Sequence, residues 1–478
     1  MKNSLTKEQT YILLFFACII SRLATSIYYI EDIDSLRFAL SIDEYNLLKL
    51  QPHFPGYPVY CFIAKILFFF TNSLGITFSI VGGVSLFVII YFTLKFCNID
   101  LNTLKGCLFT FIIFFNPLIW IMSNRYMPDL MGLAILVSSL YLLTNKQVDI
   151  RYQSIGYLFF GILAGTRLSY LPFLLVPFIY QLIVNDKKIK NLVHFSLGIT
   201  VWLIPLIWLS GIENLYIVAT KQTFGHFSDF GGTIITEKNW YERFINLFRS
   251  TWADGMGGYW PERSWQTLIL SFPLAYLLYR GSIGFIKNLR NDKILILLLA
   301  SLIVYIIWIF FFQNIIYKSR HVLPVLFFLF VLLNIGQNTI MVKKGMLANI
   351  ILGLFFLSLI NVTSTLVIQH KKPTAISKLK DNIRNSKDYE TVLSISLINY
   401  YLSKNGVDAQ YLSVENQIDL KMINSFNKDS ILVVGNFGQL FQDNFRSFPE
   451  KTFFHNPYVN RMWSEIETYR MIKKSDEK

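Results

Sequence analysis

Long apolar runs alternate with short polar connectors from Tyr11 to about Ile368, after which the alternation ends. Each run holds roughly 18 to 22 residues, enough for a helix to cross a hydrocarbon core about 30 Å thick. The pattern predicts spans at 10–29, 75–94, 105–122, 130–145, 153–166, 168–184, 191–210, 266–280, 294–312, 321–341 and 346–368, about eleven crossings. One more run, 57–73, opens on Pro55, Gly56 and Pro58, carries Lys65 halfway along and stops at a turn over 71–75. Proline suits a first helical turn and a lysine at mid-depth is costly in a span, so this run is predicted to lie along the outer membrane surface.

Beyond Gln369 the pattern is that of a soluble α/β domain. TVLSIS (391–396), AQYLSV (409–414), SILVVG (430–435) and KTFFHN (451–456) read as strands, with helices at 397–405 and 417–426. The predicted fold class is a polytopic α-helical membrane protein, residues 1–368, with an external loop at 28–73 and a small C-terminal α/β domain, 369–478. The segment VVGNFG (433–438) matches a dinucleotide fingerprint only in part and reads as a plain strand-to-helix turn.

Composition agrees: 53% of residues are hydrophobic, 15% are charged, and the mean hydropathy is +0.44, all outside the soluble range. The net charge of +14 does not imply a nucleic-acid partner, because the basic residues are spread in small clusters between apolar runs. Those clusters are Lys2/Lys7, Lys95/Lys105, Lys146/Arg151, Lys187/Lys188/Lys190, Arg280/Lys287/Arg290/Lys293 and Lys343/Lys344. Placed together on the cytoplasmic face, they require an inside N-terminus and an extracytoplasmic C-terminal domain in a cell (plasma or inner) membrane. The first run is too long for a signal peptide, carries Arg22 and lacks a small-x-small cleavage site. Cys18, Cys61, Cys97 and Cys107 show no metal-site spacing.

This topology collects the candidate chemistry on the outer face. Residues 28–60 set Glu31, Asp32, Asp34, Asp43 and Glu44 at the lip of the first span and end in a Pro/Gly/aromatic cluster. Carboxylates are expensive near hydrocarbon and mark a functional site there; the plainer reading is an acidic solvated loop. The same face receives Arg125 and Asp129 of RYMPD, Arg167 of GTRLSY, a long loop over 211–265, and Lys318, Arg320 and His321 of YKSRH. Arg125 and Asp129 are candidates to pair with each other. Arg22 is placed to snorkel from the first span toward the outer mouth. In the long loop Trp252 and Asp254 of TWADGMGGYWPERSW offer an apolar ring and a hydrogen-bonding carboxylate, though aromatic residues also gather at membrane interfaces for amphipathic reasons alone.

The run EDIDSLRFALSIDEYNLLKLQPHFPGYPVY resembles the first external loop of polyprenyl-phosphate-sugar-dependent glycosyltransferases of the GT-C superfamily, related to protein O-mannosyltransferases and aminoarabinose transferases. Those families carry an acidic pair after the first span and an HPPG or HPPL element about twenty residues on. The counterparts here are Asp32-Ile33-Asp34 and His53-Phe54-Pro55-Gly56-Tyr57-Pro58, with Phe54 where proline is usual.

The resemblance implies a membrane glycosyltransferase. It would move a sugar from a polyprenyl-phosphate carrier to a protein, lipid or glycan acceptor, with membrane lipids as its surroundings. A first-loop aspartate, Asp34 or Asp32, would be the general base; Asp34 is followed by Ser35, as in DS-containing members. Arg320, with Arg167 or Lys318, would hold the donor phosphate. His321 and Tyr57 lie in the same motifs, and His53 either touches the phosphate or caps the PGYP turn. The two aspartates alternate faces in a strand and splay in a helix, so one alone can serve. No cofactor is called for, although the D-x-D spacing suits a divalent metal and leaves one open. Rival readings are a lipid-linked oligosaccharide flippase and a non-catalytic assembly partner.

Overall fold

The computed structural model describes residues 6–144, 150–228, 231–342, 345–386, 390–424, 431–442 and 444–474. Lys2, Lys146, Lys343 and Lys344 of the basic connectors, and Ser425, Phe426 and Ser430 of the predicted elements, lie outside these residues. The chain divides into two compact units, Met1–Ile27 with Phe38–Lys371, and Tyr28–Arg37 with Lys372–Lys478.

The first unit is helical. Its helices are α1 (Lys7–Ala24), α2 (Ile33–Asp43, which begins in the second unit), α3 (Pro58–Thr71), α4 (Leu74–Phe96), α5 (Leu104–Phe114), α6 (Pro117–Asn124), α7 (Asp129–Thr144), α8 (Ile150–Arg167), α9 (Leu171–Val184), α10 (Lys188–Ser210), α11 (Ile212–Ser228), α12 (Trp240–Arg249), α13 (Trp265–Leu289), α14 (Lys293–Phe312), α15 (Leu323–Val342) and α16 (Met346–His370).

Seven helical stretches among the described residues are long and apolar enough to cross a membrane, or eight if α5 and α6 count as one. The expected count of about eleven is therefore not confirmed. α8 and α9 form one apolar stretch, α7 is only 16 residues long, and α1 carries Lys7, Glu8 and Arg22. The run 105–122 is two helices meeting at 58°. The Asn116 side chain accepts from the Ile119 N–H at 3.0 Å and Pro117 takes the first position, so a new helix starts where a continuous one was expected.

The stretch 211–265, expected as a long loop, is largely helical. Along α12 Trp240, Tyr241, Phe244 and Phe248 are exposed while Arg243 is buried, donating to the carbonyls of Gly232, Phe310 and Gln313. A helix that turns its rings outward and its arginine inward fits an apolar surround, and its charged residues break the hydropathy run that would have betrayed it. A π-helical turn, Ser250–Gly255, follows directly.

The second unit is a mixed five-stranded sheet of β1 (Thr391–Ser394), β2 (Gln410–Ser413), β3 (Ile431–Val434), β4 (Phe445–Phe454) and β5 (Glu465–Lys473), in the order β2-β1-β3-β5-β4. β1 pairs parallel with β2 and β3, while β5 runs antiparallel to β3 and β4. The helices are α17 (Ala375–Ser386), α18 (Ser396–Lys404) and α19 (Gln417–Asn424). β1 and β3 are buried along their whole length, as central parallel strands covered on both faces must be. Leu393, Leu412, Ile431, Val433, Phe445 and Met471 form the core. α17 and β5 have no counterpart in the sequence reading. Ile376, Leu379 and Ile383 give α17 one apolar face, but the helix is otherwise polar.

Candidate active site

The acidic stretch does not behave as one loop. Residues 28–37 belong to the second unit, and the chain from Phe38 onward to the first. Asp32 caps α2: its Oδ1 accepts from the Ser35 N–H at 2.8 Å, the usual reach of an N-cap aspartate to the third helical residue. Its Oδ2 accepts from Asn460 Nδ2 at 3.0 Å. The Asn460 amide is oriented because its Oδ1 accepts from the Met462 N–H at 3.0 Å. His455 takes the Ala375 N–H on Nδ1 at 3.0 Å, leaving Nε2 to donate to the Asn460 carbonyl at 2.9 Å.

Two more bonds tie down the backbone before the aspartates. The Tyr401 hydroxyl donates to the Ile30 carbonyl at 2.6 Å and the Thr374 hydroxyl to the Glu31 carbonyl at 2.9 Å. Burial, and then the nearby Asp32 carboxylate, hold the Tyr401 phenol well above its ordinary pKa, so it remains a donor. Glu31, Asp32 and Asp34 are all buried, and Asp34 Oδ1 lies 3.7 Å from Arg37 Nη1. A solvated acidic loop is not what forms.

In the first unit Asp129 is the centre of a buried ionic cluster. It opens α7, where the helix dipole favours a carboxylate. Arg167 Nη2 lies 2.9 Å and Arg320 Nε 3.7 Å from its Oδ1. Asp129 thus lies between Arg167 and Arg320, two partners that its own stretch of sequence does not show. Arg167 closes α8, and its Nη1 donates to the Tyr57 hydroxyl at 3.1 Å; that hydroxyl is also 3.0 Å from His53 Nε2. Gly132 is needed one turn into α7, since a Cβ there would stand 2.6 Å from Arg167 Cβ.

Arg320 and His321 sit on a short 3₁₀ turn, Ser319–Val322, after the half-buried Lys318. The Tyr170 hydroxyl donates to the Arg320 carbonyl at 3.3 Å and the Tyr305 hydroxyl to the His321 carbonyl at 2.9 Å. The π-helical turn bearing Trp252 and Asp254 packs against this 3₁₀ turn, with the Ser250 hydroxyl donating to the Ile315 carbonyl at 3.3 Å. Asp254 is buried, and Trp252 Nε1 donates to the Tyr259 carbonyl at 3.0 Å.

Of the candidate cations, Arg22 stands apart. Its guanidinium lies 3.8 Å from the Trp120 ring centroid and 4.6 Å from that of Phe114, and it donates to the Phe114 carbonyl and the Ser21 hydroxyl. It shares none of these partners with Arg167 or Arg320. Groups the sequence did not single out are Tyr170 and Tyr305 in the first unit and, separately, Asn460 in the second. Only the Pro128-Asp129 start of α7 carried a local signal; Asn460 lies 428 residues from Asp32, beyond any motif.

Both Asp32 oxygens are taken by neutral donors, and among the described residues no three His, Cys, Asp or Glu side chains come together as ligands. A hard cation can be held by one or two carboxylates with waters and substrate phosphates, so the D-x-D pair leaves a metal open.

The combination of apolar membrane-length helices, a small mixed sheet unit and charged turns at helix ends defines a class of polytopic membrane protein. Within that class the chain has the GT-C fold. Its structure is similar to that of ArnT from Cupriavidus metallidurans bound to undecaprenyl phosphate, with TM-score 0.56 and 9% identity over 96% of this chain and 97% of that one. The same protein in its apo state gives TM-score 0.54 and 10% identity over 97% and 98%. No family model matches the chain, and neither does a curated protein sequence.

Proposed function

We propose that this protein is an integral membrane glycosyltransferase that takes a sugar from a polyprenyl-phosphate carrier. The observation that carries the reading is its likeness, over nearly the whole of both chains, to an ArnT crystallised with undecaprenyl phosphate. The buried guanidiniums of Arg167 and Arg320, at the ends of helical elements, supply the cations that such a donor requires.

Asp34 is the general base. Both oxygens of Asp32 are engaged with the Ser35 N–H and the Asn460 amide, which gives Asp32 a positioning role; Asp34, followed by Ser35 as in the DS-containing members of the family it resembles, is assigned the base. The Asp34 carboxylate removes the proton of an acceptor hydroxyl or amine as that atom attacks the anomeric carbon. The bond from this carbon to the phosphate oxygen breaks, polyprenyl phosphate departs with the electron pair, and configuration inverts. Arg167 and Arg320 stabilise the charge on the departing phosphate, with Asp129 fixing both guanidiniums. Lys318, His321 and His53 add positive charge or hydrogen bonds to the same group, and Tyr57 orients Arg167. Trp252 and Asp254 contact the sugar or the acceptor.

Transfer takes place on the extracytoplasmic side, with the N-terminus inside and the second unit outside. A cysteine at Ser73 is then labelled from outside and one at Lys95 from inside; the reverse overturns this orientation.

The decisive experiment offers purified protein in lipid nanodiscs a panel of undecaprenyl-phosphate sugars with envelope lipids, glycans and proteins as acceptors. Release of free undecaprenyl phosphate with at least one donor is expected. Folded protein that releases none from the whole panel overturns the reading.

A further inference from the structure

The sheet of the second unit has a feature unrelated to the aspartates. After β1 the chain passes through α18 to β2 on one side; after β2 it passes through α19 to β3 on the other side of β1. The connections leave the carboxyl ends of β1 and β3 in opposite directions, and a crevice opens between them. In open α/β sheets this is where ligands bind.

A cavity of about 400 Å³ occupies that position. It is lined by Ile395 just after β1, by Asn436 and Phe437 after β3, by Trp463 on the approach to β5, and by Glu465 and Glu467 of β5 itself. Gly435 sets the path of the chain beside it. Its φ of +106° turns the chain sharply out of β3, and a Cβ there would stand 2.6 Å from the Phe437 ring. Trp463 is held in a left-handed conformation, φ +52°, with its ring edge-on to Tyr401 at 6.2 Å. Glu465 and Glu467, two apart on β5, are exposed on one face of the strand. The Tyr469 hydroxyl donates to Glu467 Oε2 at 2.5 Å and fixes that side chain.

The lining therefore combines two aromatic rings, two carboxylates and one amide, with no lysine or arginine. Carboxylates accept hydrogen bonds from hydroxyl and ammonium groups and repel phosphates, while rings receive the apolar face of a pyranose. We propose that this crevice is a saccharide-binding site, selective for neutral and amine-bearing sugars over anionic ones. It is distinct from the donor-phosphate chemistry above and does not rest on that reading.

The test is calorimetry on the full-length protein in nanodiscs with glucose, glucosamine and glucose 6-phosphate as probes. Glucosamine binds most tightly, glucose about tenfold more weakly, as one charge-assisted hydrogen bond is lost, and glucose 6-phosphate more weakly still. Glu465→Gln removes the preference for glucosamine, and Trp463→Ala weakens both sugars about tenfold or more. Should Trp463→Ala fail to fold, Glu465→Gln and Asn436→Ala carry the test. The proposal is overturned if neither glucose nor glucosamine binds saturably, if glucose 6-phosphate binds as well as glucosamine, or if the folded variants bind all three as the wild type does.

Discussion

Asp32 and Asp129 are equally buried, each 1% exposed, yet the two units hold them by opposite means. Asp32 is fixed by neutral donors, the Ser35 N–H and the Asn460 amide, in a chain of hydrogen bonds that continues through His455 to the Ala375 N–H. Asp129 is fixed by the guanidiniums of Arg167 and Arg320. The difference separates two tasks. Neutral bonds position a backbone segment without adding a charge of their own, whereas ionic bonds hold two guanidiniums on one carboxylate. A neutral network loses a part at modest cost, but removing the shared anion of a buried cluster leaves two like charges facing each other.

The largest effect expected is on chemistry. Asp34→Asn removes the proposed base and lowers transfer by roughly 10²- to 10⁴-fold, with unchanged expression and melting temperature, measured as release of undecaprenyl phosphate. Asp32→Asn keeps an acceptor for the Ser35 N–H and is expected to retain more activity than Asp34→Asn. If Asp32→Asn is the more damaging of the two, the assignment of base and positioning group is reversed.

Next is Asp129→Asn, which removes the carboxylate shared by Arg167 and Arg320 and is expected to cost about 3–5 kcal/mol of stability, read as a fall in detergent melting temperature. Arg167→Gln relieves the repulsion in the same background, so the double variant is expected to recover part of the loss. Strict additivity would show that the ion pairs carry no coupling.

Much of this arrangement was legible from the residues. The apolar runs, the change of pattern after Gln369 and the D-x-D and HFPGYP elements led to a GT-C fold because each is a local signal. Strands β1 to β3 were legible for the same reason, being short runs with β-branched or aromatic residues bounded by turns. What escaped reading depends on distance. The assignment of residues 28–37 to the second unit rests on Tyr401, Thr374 and Asn460, all more than 340 positions away. The approach of Arg167 and Arg320 to Asp129 was out of reach because sequence shows neighbours. The helices within 211–265 were hidden because charged residues interrupt their apolar faces.

Asn460→Ala sharpens the comparison from the neutral side. It removes the donor to Asp32 Oδ2 and leaves a buried oxygen without its amide, for an expected loss of about 1–3 kcal/mol. Hydrogen exchange of the Ser35 N–H is expected to quicken, and transfer to fall less than in Asp34→Asn. A loss as large as that of Asp129→Asn would mean that charge is not what distinguishes the two sites.

The smallest effect belongs to an exposed control, Asp100 with Lys7 at 3.1 Å, both about half exposed. The Asn102 N–H, and then the Lys7 hydrogen bond, lower the Asp100 pKa below its ordinary value. A depressed carboxylate pKa adds stability above the unfolded-state pKa, near about 4, and that stability is lost as pH falls through the lowered folded-state value. Asp100→Asn is therefore expected to lower the melting temperature slightly at pH 7 in low salt, and to match the wild type at strongly acidic pH. Screening by salt reduces the Lys7 part of the difference and spares the Asn102 part. The Asp129 pairs, shielded from solvent, are expected to keep their contribution at the same ionic strength; equal salt sensitivity of the two variants would place the Asp129 cluster in contact with bulk water.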